Sequence, residues 1–190
     1  VAEDYLGLID PIGPRSCYNE GKRFAECLSV IYQNKYKIPV KIARIFNSYG
    51  PKMRLADGRI IPDFVYSAIQ NRPLIIYGGQ NATDTFCYIS DLTAGLIKLA
   101  RSPENGVFNL GHPTLYYLKE AAEAIIKIVG SESIIEYASA FPYQDEPCAP
   151  DIAKAEKKLN WMPVVSLEQG LIKTVEALRA SNVVRLREGL

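Results

Sequence analysis

The spacing of apolar residues changes period at Pro39, and that change constrains the fold more than any other feature. Before it, Phe24, Leu28, Ile31 and Tyr32 recur every three or four residues, which predicts an amphipathic helix from about Tyr18 to Tyr36. After it, Val40, Ile42, Arg44 and Phe46 alternate with Lys41, Ala43, Ile45 and Asn47. That is the period of a strand. Because Ala43 and Ile45 make its second face apolar too, the strand is expected to be covered on both sides. The turn Ser48-Tyr49-Gly50-Pro51 ends it.

The same exchange of periods continues along the chain. Short helices are expected over "IPDFVYSAIQN", with Pro62 in the first turn, and over "SDLTAGLIKLARS", capped by Ser90. Further helices are expected over "YYLKEAAEAIIKIVG", ending at Gly130, and from a Ser166–Gln169 capping box to about Ser181. Strands are expected over "PLIIYGG", "TFCYI", "GVFNLG" and "SIIEYA". Helices alternating with short β runs define an α/β protein. No repeat or linker divides the 190 residues, so they are read as a single unit.

Composition excludes several functions. Twenty-two basic residues against 21 acidic ones leave a net charge of +1, which offers neither a nucleic-acid surface nor a basic membrane face. No apolar run approaches the ~20 residues of a membrane-spanning helix. The cysteines at 17, 27, 87 and 148 are scattered, and His112 is the sole histidine. No metal site is therefore expected, and the thiols are read as the reduced cysteines of a cytoplasmic protein. His112 follows "FNLG" and is read as a solvated loop residue.

One pair carries chemistry. Tyr18 and Lys22, in "SCYNEGKRF", stand at i and i+4, on one face of the expected helix. A lysine ammonium beside a phenol favours the phenolate, so the tyrosine is a candidate general base.

"DPIGPRSCYNEGKRFAE" followed by "KIARIFNSYGPKMRLADGRIIPDF" resembles the extended short-chain dehydrogenases/reductases, in the NAD-dependent epimerase/dehydratase group. The likeness is strongest to the UDP-glucuronate decarboxylases (UDP-xylose synthases), and it covers nearly the whole chain. It implies the C-terminal portion of a Rossmann-like doubly wound sheet plus a small α/β substrate-binding domain, without the N-terminal NAD-binding half. The first residue is Val1 rather than methionine, and the chain is read as about the C-terminal 60% of an enzyme.

The resemblance also implies roles, position by position. Tyr18 would take the proton of the sugar 4-hydroxyl while NAD accepts the C4 hydride, and Lys22 would hold the nicotinamide ribose. Ile45 matches the region passing the nicotinamide, and Asn47 the asparagine bonded to the sugar-nucleotide diphosphate. Ile60 and Ile61 match backbone facing the base, and Ile75 and Tyr77 the strand that helps hold it. Phe86, Tyr88 and Asp91 match a run read as structural. The implied partners are a nucleotide-sugar substrate and a second copy in a homodimer. UDP-glucuronate decarboxylation is the expected reaction. A 4,6-dehydratase or 4-epimerase activity, or a non-catalytic remnant serving as a dimerisation module, are the alternatives.

Three departures stand against this pattern. The 190 residues hold neither the Gly-x-x-Gly-x-x-Gly phosphate loop nor the Ser/Thr that completes the tyrosine–lysine triad. Asp84 stands where the family has an arginine that clamps the diphosphate. Cys148 takes the place of a second arginine, in a loop about two residues short.

Overall fold

The structure, a computed structural model, describes residues 1–55, 58–141 and 147–180. The first helix, α1 (Ser16–Tyr36), precedes β1 (Lys41–Ile45) and β2 (Ser48–Tyr49). Then follow α2 (Ile60–Ile69), β3 (Leu74–Tyr77), β4 (Thr83–Thr85), β5 (Cys87–Tyr88) and α3 (Ile89–Arg101). The rest comprises β6 (Gly106–Leu110), β7 (Leu115–Tyr117), α4 (Leu118–Val129), β8 (Ile135–Ala138), α5 (Ala153–Leu159) and α6 (Leu167–Ala180).

Three strand pairs are parallel: β1 with β6, β2 with β5, and β3 with β8. The fourth, β4 with β7, is antiparallel. Parallel pairing requires crossovers, and the helices supply them. Two apolar cores result. One gathers Phe108 and Leu110 of β6 with Leu92 and Leu99 of α3, Ala155 and Leu159 of α5, and Trp161. The other packs Val65 of α2, Ile76 of β3, Ile125 of α4 and Leu171 and Val175 of α6. This is the expected mixed α/β architecture.

Close backbone approach seals both cores. A Cβ on Gly170 would lie 2.0 Å from the Tyr49 hydroxyl, and one on Gly95 2.8 Å from the Trp161 ring. Asp91 ties the start of α3 to the segment 161–165. Its carboxylate accepts the backbone N–H groups of Val164 and Val165 at 2.9 and 2.8 Å, and its carbonyl accepts the Trp161 indole N–H. With Phe86 and Tyr88 also buried, the structural reading of that trio holds.

Several local expectations are corrected. β1 is not covered on both faces: four of its residues are half-buried, and Ile45 is 53% exposed. On its second face Ala43 packs against the core of β6, α3 and α5, but Ile45 at the strand's end stands open, so apolarity alone overstated its cover. The run "TFCYI" is not one strand, since β4 ends at Thr85, β5 holds Cys87 and Tyr88, and α3 begins at Ile89. Ser90 therefore lies inside α3 rather than capping it. Tyr116 and Tyr117, expected to open a helix, instead pair with Asp84 and Thr83 in β7. The helix near the end begins as predicted, with the Gln169 N–H donating to Ser166 Oγ at 3.3 Å, and runs to Ala180. Ser181 lies outside the described residues, as does part of the loop read as short.

Candidate functional site

The connection 37–40 returns the chain from α1 into β1, so helix and strand run in opposite directions. A bidentate ion pair fixes their relative height: Arg44 Nε and Nη2 each lie 2.8 Å from the Glu26 carboxylate. Glu26 is two turns C-terminal to Tyr18 and one turn C-terminal to Lys22, along the same stripe of the helix. Eight residues of helix span about 12 Å, which strand geometry covers in three to four residues. That lifts Tyr18 beyond Ile45 to about the level of Asn47, outside the C-terminal end of the parallel pair. Open α/β sheets bind ligands at that end.

Tyr18 is 57% exposed, and Lys22 Nζ sits 5.5 Å from the centre of its ring, with the Arg15 guanidinium 5.8 Å away. The ring is thus flanked by two cations. Ile45 presents an exposed apolar side chain at the end of β1, and Asn47 follows where the strand gives way to β2. The Cys87 N–H donates to the Asn47 carbonyl at 2.9 Å, which ties this corner to β5.

Asn47 does not stand free. Its side-chain amide donates to Asp84 Oδ1 at 2.6 Å, and the Thr85 N–H donates to the same oxygen at 2.7 Å. Burial pushes the Asp84 carboxyl above its ordinary value, against the lowering effect of those two bonds. The carboxylate thus occupies two donors that could otherwise meet an anion.

The remaining candidates divide. Ile61 is buried in the core and Ile60 only half-buried, at the start of α2. Ile75 and Tyr77 lie on the open face of β3, whose residues alternate between buried and exposed. Tyr77 stacks on Phe141, ring centres 4.4 Å apart and planes 28° apart. Cys148 is exposed. His112 is half-buried rather than solvated. Its Nδ1 accepts the Thr114 N–H at 3.2 Å, and burial lowers its pKa despite the opposing influence of Asp91.

Sequence reasoning missed three of these features: the Glu26–Arg44 pair, the capture of Asn47 by Asp84, and the Tyr77–Phe141 stack. A signal existed only for the first. Glu26 continues the Tyr18–Lys22 stripe, and Arg44 is the one charge in the apolar run Ile42–Phe46.

A profile of the GDP-mannose 4,6 dehydratase family matches residues 9–174. UDP-glucuronic acid decarboxylase 1 of Arabidopsis thaliana is 42% identical over 177 residues, covering 93% of this chain and 41% of that protein. UDP-glucuronic acid decarboxylase 1 of Xenopus tropicalis is 41% identical, covering 94% and 42%. The chain therefore spans about two fifths the length of the curated relatives it matches. Among solved structures, the UDP-glucuronic acid 4-epimerase of Bacillus cereus, in complex with UDP-glucuronic acid and NAD, superposes with a TM-score of 0.84. Identity is 27%, with 95% of this chain and 56% of that chain covered. The epimerase Mth375 of Methanothermobacter thermautotrophicus gives a TM-score of 0.85 at 26% identity, covering 94% and 54%.

Proposed function

The chain belongs to the GDP-mannose 4,6 dehydratase family, within the nucleotide-sugar-modifying enzymes, and from that premise we propose that the protein decarboxylates UDP-glucuronate with NAD. The observation that carries the reading is the Tyr18–Lys22 pair, exposed and set at the C-terminal end of the β1–β6 pair. The identity to UDP-glucuronic acid decarboxylases supports the choice of substrate. We further propose that residues 1–190 form one unit, the C-terminal portion of such an enzyme domain, acting in the cytoplasm as a homodimer.

The residues present fit the nicotinamide end of NAD. Lys22 offers an ammonium to ribose hydroxyls, and Ile45 offers an exposed apolar contact for a flat ring. When bound, NAD supplies a reversible hydride acceptor. Tyr18 removes the proton of the sugar 4-hydroxyl and later returns one, with Lys22 and Arg15 stabilising the charge that develops on its oxygen. Oxidation at C4 makes the C6 carboxylate a β-keto acid; CO₂ departs to leave an enolate, which takes a proton at C5, and return of the hydride to C4 would complete UDP-xylose. Asn47 and the backbone of Ile60 and Ile61 orient the nucleotide, with Ile75 and Tyr77 beside the base.

A second reading rests on the bond between Asn47 and Asp84. A diphosphate meeting that carboxylate is repelled and finds two donors already engaged. This favours a relaxed, non-catalytic copy or another nucleotide sugar, handled as in a 4-epimerase or 4,6-dehydratase. Mass spectrometry after incubation with UDP-glucuronate and NAD⁺ separates the readings. UDP-xylose and CO₂ that disappear in Tyr18→Phe support decarboxylation. A 4-epimer or a 4-keto product without CO₂ supports the other chemistries. The incubation uses a form in which a glycine-rich NAD-binding half accompanies residues 1–190, because these residues alone carry no such loop for the NAD pyrophosphate and are expected not to turn over. Absence of products from that form supports the non-catalytic copy.

A further inference from the structure

We infer that Glu26 and Arg44 are positioning residues: a two-point ionic clamp that sets where the Tyr18 end of α1 stands against the C-terminal end of β1. The inference rests on the reading of Tyr18 and Lys22 as the reacting pair, and it adds two residues that touch neither substrate nor cofactor.

α1 is an unusual carrier for a reacting group. It is 21 residues long, yet among the described residues it buries none. Helices in globular proteins are normally held by an apolar face sunk into the core. Here polar contacts replace it. Besides the clamp, Arg23 Nη1 donates to the Leu6 carbonyl at 2.9 Å, a bond to an exposed segment rather than to the core.

The clamp itself is anchored. Arg44 Nη1 donates to the Glu3 carbonyl at 2.9 Å, while the Glu3 carboxylate accepts the Asn109 N–H of β6 at 2.9 Å. Asn109 is buried, and its amide donates to the carbonyls of Val1 and Asp151 at 2.9 and 3.0 Å. The guanidinium is therefore held in place before it meets Glu26. Both partners are about 30% exposed, and two parallel N–H···O bonds fix direction as well as distance. An exposed single-point ion pair would do neither.

Leverage turns this into a functional demand. Tyr18 lies about 12 Å along the helix from Glu26, so a tilt of about 5° moves it by about 1 Å. Misplacement of that size costs a reaction about 10²-fold.

The test measures position directly. In a Cys27→Ser/Cys148→Ser background, spin labels on exposed Cys17, beside Tyr18, and on Glu176→Cys in α6 report the distance from the helix tip to the body. The unsubstituted pair is expected to give one narrow distribution. Arg44→Ala and Glu26→Ala should each widen it at least about twofold, and the double variant no further, as members of one unit behave. Arg44→Lys should fall between, and the exchange Glu26→Arg/Arg44→Glu should recover much of the narrowing. Amide exchange in α4 should stay within about twofold throughout, since that helix opens with the core rather than with α1. An unchanged width overturns the inference. So does widening accompanied by faster exchange in α4, which would make the pair a general stabiliser. In enzyme that turns over, kcat should fall with KM unchanged. A widened distribution with unchanged kcat overturns positioning and leaves the proposed function intact. Absence of turnover in every unsubstituted form overturns the function, while the distances still judge the clamp.

Discussion

α1 and the body formed by α2, α4 and α6 are built on opposite principles. In the body, Val65, Ile125 and Leu171 are wholly buried, and α4 is amphipathic, with its apolar side against its neighbours. In α1, Phe24 is 65% exposed, Ile31 51% and Leu28 40%, and one ion pair with a hydrogen bond from Arg23 does the docking. Apolar burial is strong but has no preferred direction. Hydrogen-bonded ion pairs are weaker, yet they specify angle and height. The body is made to be stable; α1 is made to be placed, and to leave an apolar face uncovered.

The largest effect should separate the two regions by stability. Ile125→Ala is expected to cost about 2–5 kcal/mol in denaturant unfolding, as cavities in filled cores do. Leu28→Ala in the monomeric chain should stay within about 0.5 kcal/mol, as surface substitutions do. Comparable losses at both positions would break the contrast.

Ligand binding should come next. Unsubstituted protein is expected to bind UDP-xylose no more tightly than roughly millimolar, about −4 kcal/mol. Asp84→Arg removes the repulsion, frees the Asn47 amide and adds a fork suited to phosphate. It should tighten binding by about 1.5–3 kcal/mol, the scale of a hydrogen bond to a charged group. Calorimetric titration of both proteins decides it, and micromolar binding by the unsubstituted chain would show that Asp84 does not guard this site.

The exposed face of α1 predicts self-association. An uncovered apolar stripe of this kind marks a contact surface. Sedimentation at rising concentration should reveal a dimer, and Phe24→Ser should weaken it by about tenfold or more, as loss of a central aromatic anchor does. A strictly monomeric profile would leave the open stripe without a purpose.

The smallest effect is in pH, where α1 and the strand pair β4–β7 titrate in opposite senses. Arg44's hydrogen bonds and charge hold Glu26 below its ordinary value of 4.5 against the cost of burial, with Arg23 adding a smaller attraction. Its contribution is therefore fully present above about 4.5 and is lost as pH falls through the lower folded value. Asp84 is raised above its ordinary 3.8 by burial. The folded state then binds the extra proton, so this carboxyl favours folding at acid pH and opposes it as pH rises through that window. Amide exchange followed from pH 7 downward, to about 3, should show α1 loosening before the strand pair β4–β7. The reverse order would contradict both assignments.

Legibility followed the range of the interactions. α1 and α4 were readable because period and caps are local: Gly130 adopts the left-handed conformation, φ 70°, at the predicted end of α4. β3 and β8 were readable as strands, and Tyr18 with Lys22 as a pair, because four residues of helix are enough to bring them together. β7 was not readable. Tyr116 and Tyr117 continue a helical pattern in sequence, and only β4, more than thirty residues earlier, recruits them into a ladder. Ser90 looked like a cap because its hydroxyl type favours one, but the cap position falls two residues sooner, at Tyr88.

By itself the sequence determined the alternation of helices and strands, the pairing of Tyr18 with Lys22 on one helix face, and the lack of charge bias that would suit nucleic acid. Each depends on neighbours in the chain or on side-chain chemistry alone. Only the tertiary structure decided that Asp84 holds Asn47 across 37 positions, and that Glu26 meets Arg44 across 18. Hydrogen bonds reach about 3 Å, so such pairs exist only once packing has brought their strands and helices together. That is why Asp84 could be read as a charge in the wrong place, and only the fold could show which donors it takes.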